Sequence, residues 1–527
     1  MERVAHEILQ AALAGKVNSK NDLQKLKRKL SKKHNLSRFP SDVEILSFAT
    51  EEEKEKVSHI LRKKPTRTLS GIVVIAVMTE PMECPGKCIY CPTNIPTAPK
   101  AYVGDEPATL RARQSQYDPY LQVTSRLEQL QAMGHSTDKI ELIVMGGTFL
   151  SASDSYQQEF MKRCFDAMNG YEAKNIDEAL HLAEKAPIRP VGITIETRPD
   201  YCKQIHVDKM LNLGTTRVEL GVQTIYDDIY QTVCRGHTVK DVINATQLAK
   251  DAGLKVCYHI MPGLPGSSKQ RDQQVFKDIF SREEFQPDLL KIYPCLVLRG
   301  SDLFEIWRKG EYSPYSTEEI IDLIAEVMPL IPHWVRIQRM QRDIPKKLIV
   351  DGPNAGNLTQ LVFQRAEERG YKIQTIRYRE VGYKQRSQIL RKQDRIDIKA
   401  LKLRVDEYSA SKGTELFLAY ENSQQDTLVG YLRLRLPSQM AHRPEIRLQD
   451  AALLRELHVY GQSVNLGKTQ EDAWQHRGVG AQLLAAAEEL TQEHGRKRIV
   501  CTSGVGAREY YLRHGYRHDG PYMTKIL

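Results

Sequence analysis

Residues 71–92 read "GIVVIAVMTEPMECPGKCIYCP", an apolar, β-branched run followed by three cysteines spaced Cys84-x3-Cys88-x2-Cys91. A continuous apolar run of this length predicts a strand buried on both faces, as in parallel sheets covered by helices. The pattern returns at 139–147, 191–199, 215–223, 255–266, 289–297 and 334–340, separated by stretches of helical periodicity. Six or seven such units predict an α/β fold, a partial or complete (β/α) barrel, with reactive groups at the C-terminal ends of its strands. The cysteines follow the first strand and so fall at that end.

A chain of 527 residues is too long for one core, and two large domains with extensions are expected. With 41% hydrophobic and 27% charged residues, no apolar run long enough for a bilayer and no signal-peptide pattern, the expectation is a cytoplasmic protein with no membrane attachment. Nine cysteines, an odd number with three clustered, fit a metal or redox site better than a disulfide framework. Structural zinc usually takes four protein ligands in two pairs, and no second pair exists here. Three thiolates are the ligand set of a 4Fe-4S cluster with one open iron. A zinc site completed by a distant His is the alternative.

The net charge of +10 is unevenly spread. Residues 16–38, "KVNSKNDLQKLKRKLSKKHNLSR", carry nine basic residues against Asp22 alone. Leu23, Leu26 and Leu30 recur at helical spacing, which predicts an amphipathic helix offering Lys25, Lys29, Lys32 and Lys33 to phosphates; a merely solvated face is the bland reading. Lys and Arg within 361–404, interleaved with Tyr371, Tyr378 and Tyr383, suggest a second nucleic-acid surface or the core of a linker subdomain.

The last 130 or so residues follow another pattern. Residues 396–408, 415–422 and 428–437 alternate as antiparallel strands, "ELHVYG" (456–461) is a further short strand, and "QHRGVG" (475–480) opens a long helix. Gln475-x-x-Gly478-x-Gly480 at a helix start provides backbone N–H groups suited to a pyrophosphate.

With these residues in view, "CPGKCIYCP" after a first barrel strand resembles the signature of the radical SAM superfamily. "MGGTF" (145–149) resembles its glycine-rich segment, and "ETRPD" (196–200) and "GVQT" (221–224) end strands with polar groups. The order from 456 onward resembles the GNAT acetyltransferases. A radical SAM barrel joined to a GNAT domain resembles the family of the Elongator catalytic subunit, and the compact x3 spacing resembles its stand-alone prokaryotic members, which implies activity without other Elongator subunits. The implied division is a basic helical tRNA-binding extension (1–69), a radical SAM barrel (70–345), a linker subdomain (346–395) and a mixed α/β GNAT domain (396–527).

The resemblance implies a tRNA-modifying enzyme that forms 5-carboxymethyluridine at the wobble position of the anticodon stem-loop. The implied route uses S-adenosylmethionine, acetyl-CoA and an external electron donor, with an adenosyl radical converting the acetyl methyl into a carbon radical that adds to C5. It implies Cys84, Cys88 and Cys91 as cluster ligands, and Gly146, Gly147, Thr148, Glu196 and Gln223 around S-adenosylmethionine. For acetyl-CoA it implies Glu456, Leu457, His458, Val459, Gln475, Gly478, Val479, Gly480 and Tyr510, with Lys139 also associated. Lys139, Tyr510 and Tyr511 are the expected catalytic side chains, although Tyr511 also suits packing. Because the acetyl group must reach the barrel mouth, the two domains are expected to face one another across a shared cleft. A protein lysine acetyltransferase with a structural or regulatory barrel is the competing reading, and a tRNA-stimulated acetyl-CoA hydrolase a third.

Overall fold

The computed structural model describes residues 1–36, 38–61, 71–92, 98–386, 400–447, 450–460 and 478–527. Four helices open the chain: α1 (Glu2–Leu13), α2 (Lys20–Lys33), α3 (Asp42–Leu46) and α4 (Glu51–Leu61). They enclose a core of their own, including Val4, Ile8, Leu23, Leu30, Ile45 and Leu61. Helix α2 starts where the Ser19 hydroxyl accepts from the Asp22 N–H, and Lys27, on its buried side, donates to Asp42 at 2.6 Å. Lys25, Lys29, Lys32 and Lys33 point outward.

The apolar runs form β1 (Val73–Met78), β2 (Lys139–Met145), β3 (Arg189–Thr197), β4 (Arg217–Gln223), β5 (Lys255–Ile260) and β6 (Leu289–Ile292). After β6, β7 (Val297–Leu298) pairs with β9 (Ile349–Asp351), while β8 (Arg336–Arg339) returns to the main sheet. That sheet is parallel throughout in the order β1-β2-β3-β4-β5-β6-β8, and β1 and β8 do not pair with each other. The barrel is therefore partial. Alternation along β2 shows how it is layered: Ile140, Leu142 and Val144 are buried in the core shared with the outer helices, while Glu141 and Met145 line cavities on the concave side.

The C-terminal sheet comprises β10 (Lys402–Ala410), β11 (Gly413–Asn422), β12 (Thr427–Leu436), β13 (Ala451–Val459), β14 (Arg498–Cys501), β15 (Arg517–Asp519) and β16 (Tyr522–Ile526). Its order is β10-β11-β12-β13-β14-β16-β15, and only the β13–β14 pairing is parallel. The helix Val479–Glu493 buries Leu483, Leu484 and Ala487 against Leu432 and Leu454 of this sheet.

The two domains join through buried charges. Arg455 donates to Asp288 (3.0 Å) and to the Leu254 carbonyl (2.8 Å), Arg433 to the Trp334 carbonyl (2.7 Å), and Arg435 to Asp251 (2.6 Å). Lys250, Arg433, Arg435 and Arg455 are met by Asp251, Asp288, Glu415 and Glu456, so the interface carries no excess charge. Removing one partner from such a buried pair costs about 3–5 kcal/mol, which makes this a fixed joint. Leu254, Asp288 and Trp334 all lie just before barrel strands. The acetyltransferase-like domain thus sits at the N-terminal ends of the strands, and the expectation that it faces the cysteine-bearing mouth is corrected.

Candidate active site

Cys84, Cys88 and Cys91 line a cleft at the C-terminal ends of the strands, together with Gly147, Glu196 and Gln223. Cys84 Sγ is 3.6 Å from Thr148 Oγ1. A hydrogen bond from Cys91 and the nearby Arg235 guanidinium pull the Cys88 thiol below its ordinary range, and Arg235 Nη1 donates to Cys88 Sγ at 3.3 Å.

The strand ends supply the remaining walls. Gly146 has φ +119°, and a Cβ there would lie 2.2 Å from Thr79 Oγ1, so only glycine lets the chain turn after β2. Glu196 accepts from Lys291 Nζ at 3.1 Å. Gln223 ends β4 with φ +72°, and its Oε1 is buried without a partner; Arg198, paired with Asp200 at 2.9 Å, has a buried Nη1 without one. Three soft thiol ligands beside an unsatisfied amide oxygen and guanidinium nitrogen fit a cluster and a zwitterionic amino-acid group bound next to it.

The second set of expected residues gathers at the other end of the barrel. Strands β13 and β14 pair only from Ala451–Arg498 to Leu454–Cys501, so among the described residues β14 does not continue alongside Glu456–His458, which pair with β12 on their other side. Where two parallel strands part in this way, the strand edge can accept an extended amide-bearing ligand. Gly478 (φ +80°) caps the adjoining helix Val479–Glu493, and a Cβ on Gly480 would stand 3.1 Å from the Tyr510 hydroxyl. Tyr510 therefore lies at the helix N-terminus beside the open edge. Gln475 is outside the described residues.

Glu456 accepts from Arg433 at 2.9 Å; against burial, which alone would raise it, Lys255 and Arg433 hold its carboxyl at about 2. His458 lies 4.4 Å from Tyr460, ring to ring, and burial lowers its pKa. Glu456, His458 and Tyr460 line a cavity of about 690 Å³ with Glu141, Arg217 and Lys255 of the barrel. Lys139 is the first residue of β2, opposite Arg189, which binds Glu509 at 2.8 Å next to Tyr510. It belongs to this lower end. Tyr511 is buried in the sheet–helix core, edge-on to Tyr510 and Tyr516, a packing position.

Some side chains at the site gave no sequence signal. Arg235 stands 147 residues from Cys88, and nothing in "CRGHT" marks it. Glu219, Cys257 and His259 come within ligand distance of one another, but Lys291 and Arg217 already pair with Glu219, so the trio reads as a buried ion-pair network. In 361–386 and 400–404 the structure favours packing over nucleic-acid contact: Tyr378 and Tyr383 pack on Phe363, and Arg365, Arg369, Arg379, Lys384 and Arg404 all bind carboxylates.

The ELP3 N-terminal domain matches residues 1–69, the radical SAM superfamily 83–279, the radical SAM C-terminal domain 287–368 and the acetyltransferase (GNAT) domain 471–525. A tRNA uridine(34) acetyltransferase of Methanocaldococcus jannaschii is 48% identical over 100% of this chain and 98% of its own length. The chain belongs to the Elp3 family. The Elongator complex protein 3 of Schizosaccharomyces pombe is 43% identical, covering 96% of this chain and 94% of that protein. The solved structure of the archaeal Methanocaldococcus infernus Elp3 with an N-terminal deletion (1–46) is 45% identical, covers 87% of this chain and 100% of that one, and superposes with a TM-score of 0.78. For an Elp3 family member the radical SAM domain implies a 4Fe-4S cluster and S-adenosylmethionine, and the GNAT domain implies acetyl-CoA. No helix among the described residues is long and apolar enough to cross a membrane.

Proposed function

We propose that this chain modifies uridine 34 in the anticodon stem-loop of tRNA, forming 5-carboxymethyluridine from acetyl-CoA. One observation carries the reading: Glu456 and His458 of β13 line a cavity whose other wall is the radical SAM barrel itself. Cys84, Cys88 and Cys91 hold the cluster, with Gly146, Gly147, Thr148, Glu196 and Gln223 around S-adenosylmethionine. When bound, these groups supply a one-electron route to a carbon radical, the chemistry that an unreactive uridine C5 requires.

The protein's own residues bind and position. The Glu456–Val459 edge orients the pantetheine arm, the Gly478–Gly480 N–H groups hold the pyrophosphate, and Tyr510 bounds the acyl end. Lys139 lies at that lower end and orients the acyl-CoA. The extension of residues 1–69 binds tRNA phosphates through Lys25, Lys29, Lys32 and Lys33 of α2, each exposed. An external electron donor completes the system, and the chain acts without other Elongator subunits.

A lysine acetyltransferase needs its acyl site open to a peptide. Here Glu456, His458 and Tyr460 face the barrel, which disfavours that reading. The test is anaerobic incubation of the reconstituted chain with tRNA, S-adenosylmethionine, acetyl-CoA and reductant, followed by nucleoside mass spectrometry. A carboxymethylated uridine is expected; acetylated lysine peptide with unmodified tRNA would overturn the proposal.

A further inference from the structure

Arg235 is a fully enclosed cation that no carboxylate neutralises. It is 7% exposed; its Nη1 donates to Cys88 Sγ at 3.3 Å, its Nη2 donates to the Gly221 carbonyl, and its Nε has no partner. The strongly buried arginines of the domain joint, by contrast, each meet an acid: Arg433 binds Glu456, Arg435 binds Asp251 and Glu415, and Arg455 binds Asp288 and Glu415. Arg235 has none among the described residues. Burying a lone guanidinium is costly, so a fold that retains one has a negative charge for it to meet.

The backbone around Arg235 is shaped to its guanidinium. A Cβ on Gly221 would fall 2.5 Å from Arg235 Nη2, so the arginine lies flat against the backbone of β4. The neighbouring His237 is held neutral by burial and by the Arg235 and Arg198 guanidinium groups, which push its pKa to about 2. It adds no second positive charge and cannot supply a negative one. Among the described residues no carboxylate pairs with Arg235, and the acidic side chain it bonds is the Cys88 thiol.

We infer that Arg235 is a positioning residue whose charge and hydrogen bond to Cys88 Sγ raise the reduction potential of the cluster those cysteines hold. The physical basis is ordinary electrostatics: adding an electron makes a cluster more negative, and a fixed cation beside a ligand sulfur, at low local dielectric, stabilises the reduced form more than the oxidised form. The residue acts through Cys88 and need not touch the nucleoside or acetyl-CoA. This inference rests on the reading of the three cysteines as cluster ligands.

The experiment is an anaerobic redox titration of the reconstituted full-length chain, followed by electron paramagnetic resonance, comparing wild type with Arg235→Lys, Arg235→Gln and Arg235→Met. Iron and sulfide content and thermal unfolding are measured alongside. At a fixed ambient potential the reduced-to-oxidised ratio is expected to fall at least tenfold in the Met and Gln variants, which for one electron is a 59 mV shift, and to be restored by Lys. Cluster assembly in wild type and Lys but in neither neutral variant also supports the inference, since charge would then be what the site requires. Clusters of wild-type potential in the Met or Gln variants overturn it. So does failure of the Lys variant to assemble a cluster, which would make the role one of shape. Absence of a 4Fe-4S signal in wild type would instead sink the cluster reading beneath it.

Discussion

Gly504→Ala tests whether the joint between the domains sets the reaction geometry. Gly504 has φ −59° and ψ 141°, which any residue adopts, so the substitution has no backbone cost. Its effect is steric. An added Cβ would lie 2.1 Å from the Val191 carbonyl oxygen and 2.4 Å from its carbon, whereas ordinary contact begins at 3.4 Å. The deficit is 3.4 − 2.1 = 1.3 Å against backbone on β3, and no side-chain rotation relieves it. The segment carrying Gly504 must therefore move away from the barrel by about that much, at a cost of about 1–3 kcal/mol. Glu509 and Tyr510 follow within six residues, and Glu509 is tied to Arg189 on β3, so the displacement reaches the acyl end. A misplacement of about 1 Å can cost on the order of 10²-fold in rate. The assay compares three quantities in one preparation: cluster content, acetyl-CoA affinity by calorimetry, and carboxymethyluridine formed per minute. The first two are expected to hold within about twofold while the third falls about 10²-fold. Gly356→Ala, whose Cβ meets nothing closer than Lys346 Cε at 3.9 Å, serves as the control. A Gly504→Ala chain with wild-type modification rate and unfolding temperature would refute the argument.

Other outcomes follow from single positions. Gly146→Ala forces φ +119° on an L-residue and a 2.2 Å contact with Thr79; S-adenosylmethionine binding measured by equilibrium dialysis is expected to be lost in a chain that still folds. Replacing Lys25, Lys29, Lys32 and Lys33 together by Ala should weaken tRNA binding and lower the slope of log affinity against log salt by about 3, with an unchanged melting curve; an unchanged slope places the tRNA elsewhere. Glu456 is depressed from an ordinary 4.5 to about 2, so its ionisation contributes stability that is fully present above 4.5 and is lost as pH falls toward 2. At about 1.4 kcal/mol per unit that contribution reaches about 3 kcal/mol, and chemical denaturation of wild type should lose more stability than Glu456→Gln between pH 5 and 3.5. Equal losses would show that the Arg433 and Lys255 partners do not act on this carboxylate.

What could be read from the sequence was whatever local pattern determines. The barrel strands announce themselves because a parallel strand covered on both faces must be apolar without interruption. The start of β13 was missed because "AALLR" (451–455) is equally a helix by composition, and only pairing with β12 and β14 makes it a strand. The two tyrosines Tyr510 and Tyr511 are indistinguishable in sequence. Helical rotation sends one to the Gly480 cap and the other into the core. Arg235 and the domain placement had no local signature at all, since both depend on contacts between residues more than a hundred positions apart.

The placement of the two sites gives the partial barrel its significance. Arg217 opens β4 beside the cavity lined by Glu456 and His458, and Gln223 closes it beside the cysteines; six steps along the strand separate them by about 20 Å. The direct way through the lumen is filled by a network in which Glu219 pairs with Arg217, His259 and Lys291, and Lys291 also pairs with Glu196. Opening that path would strand buried charges. Both cavities nevertheless share two residues in their walls, Arg339 and Asp343, an ion pair at the end of β8 that is about half exposed. This pair stands where β1 and β8 fail to meet. Separating a surface ion pair costs about 1 kcal/mol or less, far below the cost of breaking the lumen network. In a closed barrel the proposed acetyl site and the cysteines would be sealed from one another. In this fold the unclosed side offers the route of lower energy between them.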